Sequence, residues 1–172
     1  MGRRGSGLGL AFPTQGNVDH VIVHELAPIL DVRASQLTPE KDPNACLQTY
    51  VMRGCAKPGS LSYAFNTRFW SVADIQRMWT LGNDPKVTFE DVTVLSRERP
   101  NDYVTPYASS NASEDLAESF RYFVLGPKPT DATLVKNQKV LMFYDFPEYV
   151  RIRDHIRGAL AKYPGPVRRP AA

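Results

Sequence analysis

The sequence predicts a mainly α-helical domain. Three observations lead there. The stretches VDHVIVHELAPILDV at 18–32 and ASEDLAESFRYFVL at 112–125 space their apolar residues close to the 3.6-residue period of a helix. Start and stop chemistry brackets several segments, with Asn17, Ser71 and Asn111 at starts and Gly126, Pro127 and Pro129 at a stop. Strand-like patterning is confined to one short run, Val87, Phe89, Val92 and Val94.

Along the chain, residues 1–15 are Gly-rich and aperiodic, and are expected to be disordered. The folded domain is expected to span 16–162, with a disordered tail over 163–172 that ends PGPVRRPAA. Asn17 is placed to cap a first helix over about Val18 to Val32, with Pro28 inside it. Residues 33–60 read as irregular, broken by Pro39, Pro43 and Pro58. A helix is expected from Ser62 to Trp70, and another to about Leu81, opened by a Ser71–Asp74 capping pair. The run 87–94 reads as a short extended piece, and Pro100 to Pro106 as a loop. Leu116, Ala117, Phe120 and Phe123 stripe the helix at 112–125, which Gly126 ends. Two last helices are expected at about 131–144 and 147–161, the second with Pro147 in its first turn.

A chain of 172 residues suits one domain. It has no apolar stretch approaching the roughly 18 residues of a membrane span, which excludes an integral helical membrane protein. The net charge of +3, from 21 basic and 18 acidic residues, is mild and dispersed, so nucleic acid is not an expected partner. Cys46 and Cys55 flank a loop-like stretch containing Gly54. They read as a disulfide staple rather than as two reduced thiols, which implies an oxidising compartment and a secreted or extracellular protein. The N-terminal MGRRGSGLGLAFPTQG is too short in apolar residues for a signal-peptide core, so the expectation is a displaced start or missing upstream sequence.

The chemistry-bearing cluster is His24-Glu25-Leu26-Ala27-Pro28. With a histidine in place of Pro28 it would be the HExxH zinc signature. In that signature two histidines one turn apart bind one zinc, and the adjacent Glu acts as general base on the metal-bound water. About ninety residues on, Glu114, Asp115 and Glu118 stand in NASEDLAESF, with Tyr107 upstream in VTPYASS. A carboxylate on a second helix is what a third ligand position needs, a second carboxylate one turn on can orient a ligand histidine, and a phenol can stabilise an oxyanion. Plainer readings stand beside these. Glu114 has capping-box spacing from Asn111, Tyr107 can be a packed loop aromatic, and Glu118 can be a solvated helix residue. His20 lies one turn before His24, which would shift a metal up the helix, and His155 sits among arginines on the last helix.

The order HEL, then Tyr, then E-x-x-A-E-x-F resembles the gluzincin zinc metallopeptidases, especially the catalytic domain of anthrax lethal factor and its bacterial relatives. It is also similar to a group of small secreted bacterial proteins of metallopeptidase type. In these an HELxH helix is followed by a GCAKPGS-like cysteine loop, an SPYA…NPxEDFAESF block and a final PE-x-x-x-(L/I)R helix. The resemblance covers about residues 18–158. It implies a zincin-like core acting on a peptide or protein substrate or ligand. His24 and Glu114 match zinc ligands, Glu25 the general base, Tyr107 the catalytic tyrosine, and Asp115 and Glu118 supporting carboxylates. Pro28 stands where the family has its second histidine. The expectations are therefore a core that largely lacks the N-terminal β-sheet subdomain, zinc weakly held or lost, and activity weak or lost. The competing expectation is a non-catalytic secreted binding protein on the same scaffold.

Overall fold

The structure, a computed structural model, describes residues 15–31, 33, 35–51 and 54–162. The terminal segments expected to lack structure lie outside these residues, apart from Gln15, which opens the first helix. The fold is mainly helical, as the periodicity predicts. Its helices are α1 (Gln15–Asp31), α2 (Leu61–Phe69), α3 (Val72–Gly82), α4 (Phe89–Val92), α5 (Val94–Glu98), α6 (Ala112–Leu125), α7 (Val135–Met142) and α8 (Pro147–Lys162). Short 3-10 helices cover Pro43–Thr49, Tyr107–Ser110 and Phe143–Asp145.

Helix α6 is the central element and packs against α1, α2, α7 and α8. Its apolar stripe places Leu116, Phe120, Phe123 and Val124 in the core. Phe123 stacks on Phe143 with ring centres 5.1 Å apart and meets the edge of Tyr144 at 4.8 Å. Asn111 caps its start, accepting bonds from the Ser113 and Glu114 amides at 3.0 Å each. At its end the last carbonyls would lack partners. Arg153 Nε donates to the Phe123 oxygen at 2.8 Å, and Arg157 Nη1 donates to the Gly126 oxygen at 3.0 Å. The basic face of α8 thus closes the C-terminus of α6, where a cation also suits the helix dipole.

Three expectations about local structure are corrected. Helix α1 begins at Gln15, so Asn17 lies inside it rather than capping it. The run 87–94 is not extended, since Phe89–Val92 forms α4 and Val94 opens α5. Thr88 and Asp91 form a complete capping box, with the Asp91 amide on Thr88 Oγ1 at 3.2 Å and the Thr88 amide on Asp91 Oδ2 at 2.9 Å. The helix expected from 131 begins only at Val135. Asp131 instead accepts bonds from the Thr133 amide and hydroxyl at 2.8 and 2.6 Å, a local alternative that competes with helical bonding.

The stretch 33–60 is also less irregular than it reads. It holds a small antiparallel sheet, β1 (Leu37–Pro39), β2 (Tyr50–Val51) and β3 (Gly54–Ala56), in the order β1-β3-β2. Leu37, Val51 and Ala56 form its buried face against Tyr63. Gly54 pairs with Pro39 and Val51, and a Cβ there would stand 2.3 Å from the Thr38 carbonyl oxygen, so only glycine permits this strand spacing. Cys46 and Cys55 form a disulfide with Cα atoms 5.9 Å apart, tying the Pro43–Thr49 helix to β3.

Candidate functional site

Helix α1 lies along α6, and small or compact residues make the contact. Val23 and Ala27 on α1 and Ala117 on α6 are all buried. The helix continues through Pro28, although the ring removes a bond to the His24 carbonyl at a cost of about 3 kcal/mol in a helix interior. Packing of Val23 and Ala27 against α6 offsets that cost.

This arrangement brings His24 to Glu114 and Glu118. His24 Nε2 lies 3.0 Å from Glu114 Oε2, and Nδ1 lies 2.9 Å from Glu118 Oε1. The two carboxylates are one turn apart on α6, so a single helix face clasps both nitrogens of one ring. Hydrogen bonds to Glu114 and then Glu118, opposed by burial, raise the His24 pKa to about 9. The imidazole is therefore charged at neutral pH.

Glu118 is the most densely bonded carboxylate of the group. Thr105 Oγ1 donates to its Oε2 at 2.7 Å. Arg121 binds it in a fork, Nε to Oε1 at 3.0 Å and Nη2 to Oε2 at 2.6 Å. Burial pushes the Glu118 carboxyl up, but the bonds from His24, Arg121 and Thr105 outweigh it and hold the pKa at about 2. Arg121 also reaches His20, with Nη1 and Nδ1 2.9 Å apart. His20 thus belongs to the outer edge of this network. The arginine and threonine were not legible as site residues. Arg121 had only its spacing of three from Glu118 to mark it, and Thr105 had no signal at all.

Tyr107 faces the same group from the Tyr107–Ser110 helix. Its ring centre is 6.0 Å from that of His24, and it stacks on Phe89 at 6.4 Å. Burial, then the neighbouring Glu114 charge, pushes its hydroxyl up to about 12. Glu25 is exposed on α1 and lines a cavity with His24, Pro28 and Glu114. The cavity measures about 670 Å³. Its apolar lining includes Ile75, Met78 and Trp79 from α3 and Leu47 and Tyr50 from the disulfide-bonded segment.

Asp115 is placed elsewhere, which corrects its expected role beside the histidine. It is fully buried and meets Lys139 Nζ at 2.6 Å, and it accepts a bond from Trp70 Nε1 at 2.9 Å. Lys139 also donates to the Asp102 carbonyl at 2.7 Å and lies over the Tyr103 ring at 4.1 Å. Burial pushes the Asp115 carboxyl up and the Lys139 ammonium down, and each partner's charge opposes the shift of the other. This pair ties α6 to α7 and takes no part in the cavity.

The donor set can be tested against a zinc ion. His24 Nε2 and Glu114 supply two donors in register. Pro28, one turn after His24, supplies none, and Glu118 holds the opposite ring nitrogen. Among the described residues no group of three or more His, Cys, Asp or Glu side chains is placed to hold a metal ion. A catalytic zinc takes three protein ligands and an open position, so these residues do not fit one.

Comparison of the chain with family models, with curated proteins and with solved structures finds no match. The functional reading therefore rests on the residues and their geometry.

Proposed function

We propose that this protein is a degenerate relative of the zinc metallopeptidases that binds peptide in its cavity without hydrolysing it. The observation that carries the reading is the double clasp of His24 by Glu114 and Glu118. The convergence of His24 with Glu114 and Glu118 between the paired helices supports this reading, because the gluzincin resemblance assigns His24 and Glu114 to the metal and Glu118 to a supporting role. The position of the second histidine ligand holds Pro28, and an ion pair joins the helices instead. Glu25 lines the cavity and Tyr107 faces His24, which supports descent from a hydrolytic site. The apolar lining and the cavity volume are in the range of ligand sites. The Cys46–Cys55 disulfide supports an oxidising, extracellular setting. No helix among the described residues is long and apolar enough to cross a membrane.

The test is an incubation of the protein with an unfolded polypeptide such as carboxymethylated casein, with added zinc. The reading expects saturable binding and no new fragments by mass spectrometry. Cleavage that stops on adding a chelator would overturn it.

A further inference from the structure

The cavity carries a pattern of polar groups that specifies its ligand more closely. Among the described residues its charged lining is Glu25, Glu114 and the His24 imidazole that Glu114 engages, with no lysine or arginine, in a chain whose net charge is +3. Glu114 is engaged with His24, whereas Glu25 makes no salt bridge among the described residues. A carboxylate pair at a rim is a common surface feature and would mean little alone. A second observation is independent of it. Asn66, on α2, is 2% exposed and lines the same cavity, and its buried Nδ2 donor has no hydrogen-bond partner among the described residues. Ser110 also lines the cavity, and its buried hydroxyl likewise has no hydrogen-bond partner among the described residues. Such a donor has given up its bonds to water without replacing them, so an acceptor brought to it is a direct gain for binding.

We propose that the cavity binds the free N-terminus of a peptide whose first side chain is large and apolar. Within one residue such a terminus carries a cation for Glu25, an apolar group for Ile75, Met78 and Trp79, and a carbonyl acceptor for Asn66 Nδ2. An internal lysine carries its ammonium at the end of the side chain, so it cannot present an apolar side chain from the same residue. The inference rests on the peptide-binding reading above and adds to it which part of the peptide is held.

The probes are a leucine-initiated pentapeptide, Leu-Gly-Gly-Gly-Gly-amide, its N-acetylated form, and an acetylated peptide of the same length with an internal leucine and lysine. Trp70 and Trp79 line the cavity, so their fluorescence reports binding, with calorimetry as the second readout. The free terminus is expected to bind at least tenfold more tightly than either acetylated peptide. Glu25→Gln, at an exposed position, should reduce that tenfold preference to less than twofold. Asn66→Ala should weaken all three, with circular dichroism checking its fold. Equal binding of free and acetylated peptides overturns the N-terminal inference and leaves the peptide-binding reading standing. Failure of all three peptides, and of casein, overturns both.

Discussion

His24 Nδ1 sits 2.9 Å from Glu118 Oε1, and this contact joins the middle of α1 to the middle of α6 across ninety-four positions of sequence. Arg121 and Thr105 hold the far oxygen of the same carboxylate, so the histidine is oriented by a group that is itself fixed. Removing one partner of a buried charged pair costs about 3–5 kcal/mol, since the other is left uncompensated. Glu118→Ala is therefore expected to lower unfolding stability by about 3 kcal/mol in a urea titration. A loss under 1 kcal/mol would mean that the contact is incidental.

The same pair sets a pH window. His24 is held at about 9 against an ordinary 6.5, so its contribution is complete below 6.5 and is lost as pH rises through 9. Glu118 is held at about 2 against 4.5, so its contribution is complete above 4.5 and is lost as pH falls through 2. Thermal midpoints measured against pH should be highest between about 4.5 and 6.5 and should decline on the alkaline side by pH 9. In Glu118→Gln both slopes should flatten. An alkaline limb unchanged in that variant would assign it to other groups.

Lys139 and Asp115 form a second, deeper pair, closed by Trp70 and the Asp102 carbonyl. Lys139→Met leaves the buried Asp115 carboxyl without its counter-ion and should cost at least about 3 kcal/mol. Adding Asp115→Asn should recover much of this, because both charges are then gone. Chemical denaturation of the two single variants and the double variant gives the coupling. Additive losses would contradict direct pairing.

The disulfide should make itself felt through the unfolded chain. Closing so short a loop is worth about 2–3 kcal/mol in the chain-entropy picture. Reduced protein, or the double variant Cys46→Ser with Cys55→Ser, should unfold at lower urea by that margin, and the oxidised protein should give no free thiol when denatured. Two titratable thiols would refute the bond.

Much of the fold was legible because its signals are local. Ser71 and Asn111 cap helices where their side chains announce it, and the stripe from Leu116 to Phe123 faces the core. The sheet was not legible, since strands of two or three residues are too short to display alternation, and Gly54 gave no hint that it accommodates the Thr38 carbonyl. The run 87–94 misled because Val87 and Phe89, and Val92 and Val94, are each two residues apart as in a strand, and the Thr88–Asp91 capping box decides for the helix. Of the site, His24, Glu114, Glu118 and Tyr107 converge from three separate segments, as the HE…Y…ExxAE order suggests. Asp115 does not, because adjacent positions on a helix point about 100° apart and the one beside Glu114 faces the core. Thr105 and Asn66 escaped notice because their surroundings are assembled from segments distant in sequence, and Arg121 because an Arg–Glu pair three apart is common on any solvated helix.

In the proposed reading Pro28 deprives the site of a metal and the ion pair of His24 with Glu114 and Glu118 takes its place. Elemental analysis after dialysis in excess zinc tests it most directly, on the natural chain and on Pro28→His. The natural chain should hold far less than one zinc per molecule. Pro28→His restores an imidazole one turn after His24 together with the missing backbone donor, and should raise occupancy toward one. Stoichiometric zinc in the natural chain would contradict the account, as would no gain in Pro28→His when that variant is folded.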